Sequence, residues 1–201
     1  MQAKIKSYAK LNLSLNVTGK TTVLHKIESI VAFASLHDEI FIKKIKSDLL
    51  YRRGGSYERI GNYEASDKDL LYSLKINPDD AYVLNYLAYS WLERDHNINE
   101  AIQMLENAYS SKSNDPYIID SIGWAYYLTN DYLKAEKFLK RAVELIPDDP
   151  IVNDHYGDIL WKLDRKIQAR YFWGNVLEMD DADTEMIQNI NTKIIEGLKN
   201  S

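Results

Sequence analysis

The sequence predicts a mainly α protein, an α-α solenoid of helical hairpins with a small β-meander at its N-terminal end. Three observations predict it. A small residue recurs as Gly54, Ala88, Gly123 and Gly157, at intervals of 34, 35 and 34, each followed three positions later by Tyr57, Trp91, Tyr126 or Leu160. Two further series keep the same phase: Ser66, Ala101, Ala135 and Ala169, then Leu70, Leu105, Leu139 and Trp173. Finally, residues 1–46 hold eight lysines against Glu28, Asp38 and Glu39, a net of +5, whereas the remainder carries −10, so two segments of opposite sign join near Lys46.

The periodicity changes at the same place. Ile5, Ala9, Leu11, Leu13, Leu15 and Val17 alternate with polar residues, which is the pattern of a strand with one buried face. Thr18 to Thr21 reads as a turn, Val23 to Leu36 as a second apolar segment, His37-Asp38 as a turn, and Ile40-Phe41-Ile42 as a third strand. A sheet of this size buries too little surface to stand alone, and the expectation is that it rests on the first helical hairpin.

Several short motifs in this segment occur in order: Ser7-Tyr8-Ala9-Lys10-Leu11-Asn12-Leu13-Ser14-Leu15, Val17-Thr18-Gly19-Lys20, His25-Lys26-Ile27-Glu28-Ser29 and Leu36-His37-Asp38-Glu39. They resemble the opening of the 4-diphosphocytidyl-2-C-methyl-D-erythritol kinases, ATP-dependent enzymes of the GHMP superfamily that act in isoprenoid-precursor synthesis. The resemblance implies that Lys10 corresponds to the active-site lysine, Asn12 to its polar neighbour and His25 to a histidine at the cytidine moiety. The match ends near residue 46. Thr22-Val23-Leu24-His25 replaces the family's Asp-Gly-Tyr-His, and beyond it there is neither a glycine-rich loop to cradle phosphates nor a counterpart of the catalytic aspartate. Phosphoryl transfer needs that positioning, so the segment reads as a vestige without catalytic activity, and no cofactor or metal is expected. Ser14 to Thr21 imitates a phosphate loop, but Ser14 stands where the first glycine is required and the strand alternation runs up to the turn.

The hairpins are placed at 47–80, 81–115, 116–149 and 150–183. Two antiparallel helices approach to roughly 8–10 Å where one side of the contact is small, and the bulky neighbour fills the groove beside it. The third copy is the clearest: Ile119, Ile122, Gly123 and Tyr126 on its first helix, Ala135, Leu139 and Ala142 on its second, with Gly123 facing Ala135 and Pro147 closing the unit. Asp80, Asp115 and Asp149 each precede a new helix, and Pro116 and Pro150 sit in its first turn, which are start signals. The extra residue of the second copy falls within Arg94 to Asn99, a lengthened turn that leaves both helices in phase. The first copy is the weakest, with Gly54-Gly55 inside a helix and Arg53 where its siblings have Leu87, Ile122 and Tyr156. The spacing and these residues resemble tetratricopeptide repeats. Residues 184–201 close the array as a helix with Met186, Ile187, Ile190, Ile194 and Leu198 on one face, a cap such arrays need.

Composition excludes several classes. The chain has 201 residues, 27% charged, a net charge of −5 and no cysteine, which argues against nucleic acid as a partner and rules out disulfides and thiolate metal sites. No apolar run approaches the ~20 residues of a membrane span, and Met1 to Ser7 lacks a signal peptide's apolar core. Cytoplasm is the expected location. His25, His37, His96 and His155 show no metal-site spacing and read as solvated.

The tetratricopeptide resemblance implies that the first helices of successive units line a concave groove. By its phase the groove residues are Tyr82, Asn85, Tyr86, Tyr89, Asp120, Trp124, Tyr127, Asp154, Asp158 and Trp161. That surface is aromatic and acidic, with Arg52, Arg59 and Lys162 the basic residues near it. The expected function is a non-catalytic scaffold for a protein or peptide partner with apolar or aromatic anchors and basic residues. The sequence leaves the oligomeric state open.

Overall fold

The computed structural model describes residues 36–198, with side chains from Ile42 onward. Every regular element among the described residues is helical. In chain order they are α1 (Leu36–Arg59), α2 (Tyr63–Ile76), α3 (Ala81–Glu93), α4 (Ile98–Ser111), α5 (Pro116–Leu128), α6 (Tyr132–Leu145), α7 (Pro150–Lys162), α8 (Lys166–Val176) and α9 (Thr184–Glu196). They fall into two compact units divided between Pro78 and Asp79.

This corrects part of the expected meander. The turn at His37-Asp38 and the strand Ile40-Phe41-Ile42 lie inside α1, which runs unbroken through Lys46. A three-residue apolar run has no strand identity without a partner, while adding a turn to an already nucleated helix costs little. The other proposed strand segments, and with them Lys10, Asn12 and His25, lie outside the described residues.

In the first unit α1 and α2 pack antiparallel. Ser47 Oγ lies 2.8 Å from Ser73 Oγ, and Ser73 Oγ donates to the Ser47 carbonyl at 3.0 Å, a buried polar pair that satisfies itself. Farther along α1, a Cβ on Gly54 would stand 2.8 Å from Leu70 Cγ, so the glycine lets the helices close. Arg53, anomalous in the sequence pattern, donates to both oxygens of Asp69 at 2.5 and 2.8 Å. The departure from the apolar pattern is thus matched by a carboxylate on the facing helix.

The second unit stacks three hairpins, α3/α4, α5/α6 and α7/α8, with α9 packed on α8. Asp80, Asp115 and Asp149 each accept from the next helix's second and third N–H groups at 3.0 to 3.4 Å, and Pro116 and Pro150 occupy its first turn. The close contacts pair the small series with the large one. Gly123 is faced most closely by Leu139, whose Cγ and backbone N lie 2.8 and 3.1 Å from an added Cβ, not by the Ala135 expected from the sequence. Leu139 and Trp173 are fully buried in the core that these hairpins share.

A further repeat series emerges only in the backbone. Gly61, Asp95, Asn130 and Asp164, spaced 34, 35 and 34 apart, all take positive φ, at 75°, 52°, 61° and 60°. Each reverses the chain between the helices of a hairpin, and glycine, asparagine and aspartate are the residues that tolerate it. The extra residue of the second copy follows Asp95: Asn97 also has positive φ, 44°, and the turn spans Arg94 to Asn97.

Candidate peptide-binding groove

Within the second unit α3 packs on α5 and α5 on α7, which brings most of the expected groove residues together. Their exposure is uneven, with Asp120 and Asp158 buried. Tyr82 on α3 is 49% exposed, with Lys112 Nζ 4.9 Å from its ring centre. Asn85, Tyr86 and Tyr89 are half-buried, and Asn85 Oδ1 takes no hydrogen bond among the described residues.

At the centre three rings stack. Trp124 lies 4.6 Å from Tyr127 at 9° and 4.0 Å from His155 at 13°, while its indole N–H donates to Glu93 at 2.8 Å. Tyr89 approaches His155 at 6.4 Å from α3. Under the stack His155 Nδ1 sits 2.8 Å from Asp120 Oδ2, both side chains being 7% exposed. His155 is therefore a buried, paired group and not the solvated histidine read from the sequence. Register held a clue: Ser121, one repeat earlier, is also buried.

At the α7 end the acids are already engaged. Lys193 of α9 donates to Asp154 Oδ1 at 2.6 Å and to both oxygens of Asp158 at 2.8 and 2.9 Å. Trp173 Nε1 adds a bond to Asp158 at 3.0 Å. Trp161 is covered by Gly197, on which a Cβ would stand 2.0 Å from the ring. Lys193 lies outside the expected groove set, among the polar residues between the apolar positions of the closing helix. Extending the repeat by 34 residues puts it in line with Ser90, Ala125 and Ile159, all buried, so a signal was present.

The electrostatics follow from crowding. Burial lowers the His155 pKa, but Asp120 first, and then Asp154 and Asp158, outweigh it and the net shift is upward from 6.5. Burial raises Asp158 to about 6, with the Asp154 charge adding and Lys193 opposing. Burial, followed by the charge of Asp158, also raises the Tyr127 phenol and keeps it protonated.

A raised histidine pKa stabilises the fold fully below the unfolded value of 6.5, and the contribution disappears as pH rises through the folded value. The melting-temperature gap between wild type and His155→Gln is thus expected to narrow as pH increases from 6.5 toward 9. Melting curves of both proteins check this, and a gap that widens with pH contradicts it.

Comparison with known proteins agrees with the architecture. Residues 47–80 and 118–149 match the tetratricopeptide repeat family model. The two matched stretches fall on the α1/α2 and α5/α6 hairpins, and the described residues have an all-helical fold similar to that of tetratricopeptide repeats. Over 111 residues it is 32% identical to a TPR repeat-containing protein of Pseudomonas aeruginosa, covering 55% of this chain and 19% of that protein. A short N-terminal match, 67% identical over 39 residues, is to 4-diphosphocytidyl-2-C-methyl-D-erythritol kinase of Pelagibacter ubique, covering 19% of this chain and 14% of the enzyme. The chain therefore spans less than a fifth of either relative. Among solved structures, the first TPR of Spaghetti bound to an HSP90 peptide superposes with a TM-score of 0.55 at 16% identity, covering 60% of this chain and 95% of that one. Among the described residues no helix is long and apolar enough to cross a membrane, and no group of histidines and carboxylates is placed to hold a metal.

Proposed function

We propose that this chain is a non-catalytic repeat scaffold that binds a peptide or a protein segment along the groove of α3, α5 and α7. The observation that carries the reading is the run of Tyr82, Asn85, Tyr86 and Tyr89 on α3, at i, i+3, i+4 and i+7, leading to the Trp124 stack. Tyrosine and tryptophan anchor most protein interfaces because they bury a large area at small entropic cost. The HSP90 peptide held by the Spaghetti domain ends in Glu-Glu-Val-Asp. The aromatic run on α3 suits apolar or aromatic anchors, and Asp154 and Asp158, which the chain's own Lys193 now neutralises, favour lysine or arginine over such an acidic end wherever that lysine gives way.

Binding of tyrosine-rich basic peptides, selected from a display library on the full chain, tests the proposal. Tyr86→Ala is expected to weaken the selected peptide at least tenfold, about 1.4 kcal/mol. Peptides of acidic sequence, or affinity indifferent to Tyr86, contradict it.

A second reading rests on the N-terminal match to the kinase: the segment up to residue 46 derives from that enzyme and is truncated and inactive here. Calorimetric titration with ATP, with and without the cytidyl-erythritol substrate, tests it. Micromolar nucleotide binding would reopen phosphoryl transfer.

A further inference from the structure

Three of the ten expected groove residues, Asp154, Asp158 and Trp161, are occupied by the chain itself. Lys193 inserts its ammonium between the two carboxylates, and Gly197 lies against the Trp161 ring. The Lys193 ammonium also stands 5.9 Å from the ring centre of Trp173, the ring that braces Asp158. An acid pair beside two indoles is a socket for a primary ammonium, and α9 shows such a group seated in it.

The element that delivers the lysine is weakly anchored. Of its own thirteen residues α9 buries Ile190 alone, whereas α7 buries nine of thirteen. Between α9 and the wall at Asp154 an open cavity of about 550 Å³ remains, lined among others by Asp183, Glu185, Met186 and Asn189. Few buried apolar contacts and a void alongside mark an element that opens locally before the rest of the fold. Ile190 in the core, Met186 and Ile194 packed against it and a bond from Arg170 to the Ile194 carbonyl also hold α9, while its side-chain ion pairs are gathered in one cluster that any lysine presented in the same way would restore.

We propose that α9 is a displaceable occupant of the acidic end of the groove, and that a partner bearing a lysine on an amphipathic apolar helix takes the place of Lys193. The inference rests on the peptide-binding reading above and names the partner for this end of the groove. The partner chemistry is that of α9 itself, a lysine one turn from an isoleucine and two turns from a methionine. Because the internal lysine competes at high effective concentration, partner affinity is set by the difference between the two occupants.

The probe is a fluorescently labelled peptide with the sequence of residues 184–196, and a second peptide in which its lysine is methionine. Both are titrated into the full chain and into its Lys193→Met variant. The lysine peptide is expected to bind the variant at least tenfold more tightly than wild type, and the methionine peptide to bind neither. Equal affinity of the lysine peptide for the two chains, or equal affinity of the two peptides, overturns the proposal.

Hydrogen exchange on the wild-type chain keeps the test decisive if the variant does not fold. At saturating lysine peptide, amides of 184–196 are expected to lose protection at least tenfold, and unchanged protection overturns the proposal. Peptide binding that depends on Tyr86 while α9 stays protected refutes the displaceable helix and leaves the groove intact. Release of α9 without dependence on Tyr86 supports displacement and refutes the groove at α3.

Discussion

Replacing Gly157 with valine is expected to collapse the α7/α8 hairpin. A Cβ at this position would stand 2.4 Å from Trp173 Cδ1 and Nε1, far inside any contact a real Cβ makes. Trp173 cannot retreat. It is fully buried, and its indole N–H is committed to Asp158. Moving it would break that bond and disturb the carboxylate that Lys193 neutralises. Overpacking of a well-filled core costs about 1–3 kcal/mol and occasionally more, and here the obstruction is a rigid ring, so about 3 kcal/mol or more is expected. The helix-propensity gain of replacing glycine is about 1 kcal/mol at most and does not offset it. Thermal melting checks the expectation, with a fall of several degrees. A melting point within a degree of wild type would show that the hairpins do not meet at these residues. Gly123→Val is expected to act in the same direction with a smaller effect, because Leu139, though also backed by its own backbone N, is the more adaptable neighbour.

Asp120→Ala should produce the second large loss. It removes the only acidic partner His155 is shown to bond, and the imidazole is left 7% exposed beneath Trp124. Breaking a buried pair by deleting one partner costs about 3–5 kcal/mol when a charge is stranded. His155 can shed its proton, so the lower end, about 3 kcal/mol, is the expected figure. The pH response should weaken as well. Asp120 supplies the two largest upward influences on His155, so their loss lowers its pKa toward the unfolded value. The stability gap between wild type and variant should therefore be wider at pH 6 than at pH 8. Tryptophan fluorescence provides an independent readout, because Trp124 stacks directly on His155. If Asp120→Ala melts like wild type at pH 6 and pH 8, the pair has no part in holding α5 to α7.

Both sites illustrate how a repeat register reports packing. The small series and the large series were visible as letters, and so were the acidic caps and the prolines. Their pairing across each hairpin, Gly54 with Leu70, Gly123 with Leu139 and Gly157 with Trp173, became plain only with the backbone in place. The αL positions at Gly61, Asp95, Asn130 and Asp164 recur at the same interval. They were overlooked because glycine, aspartate and asparagine do not look like a single conserved letter, although they share one conformational tolerance.

What the sequence determined by itself was the local and periodic part of the protein: the helical hairpins, their caps, the lengthened turn within Arg94 to Asn99, and the register that puts the expected groove residues on successive first helices. These follow from interactions a few residues apart, repeated every 34 or 35 positions. What only the tertiary structure decided was which polar groups meet. Asp154 and Asp158 read as a free acidic surface until α9 folded back and placed Lys193 between them. His155 read as solvated until α5 brought Asp120 against it. Ile40-Phe41-Ile42 read as a strand until the helix of the first hairpin extended through it. In each case the deciding partner is distant in sequence or belongs to a cooperative element. Burial and charge neutralisation depend on where such partners arrive in space, and no pattern of neighbouring letters encodes that directly.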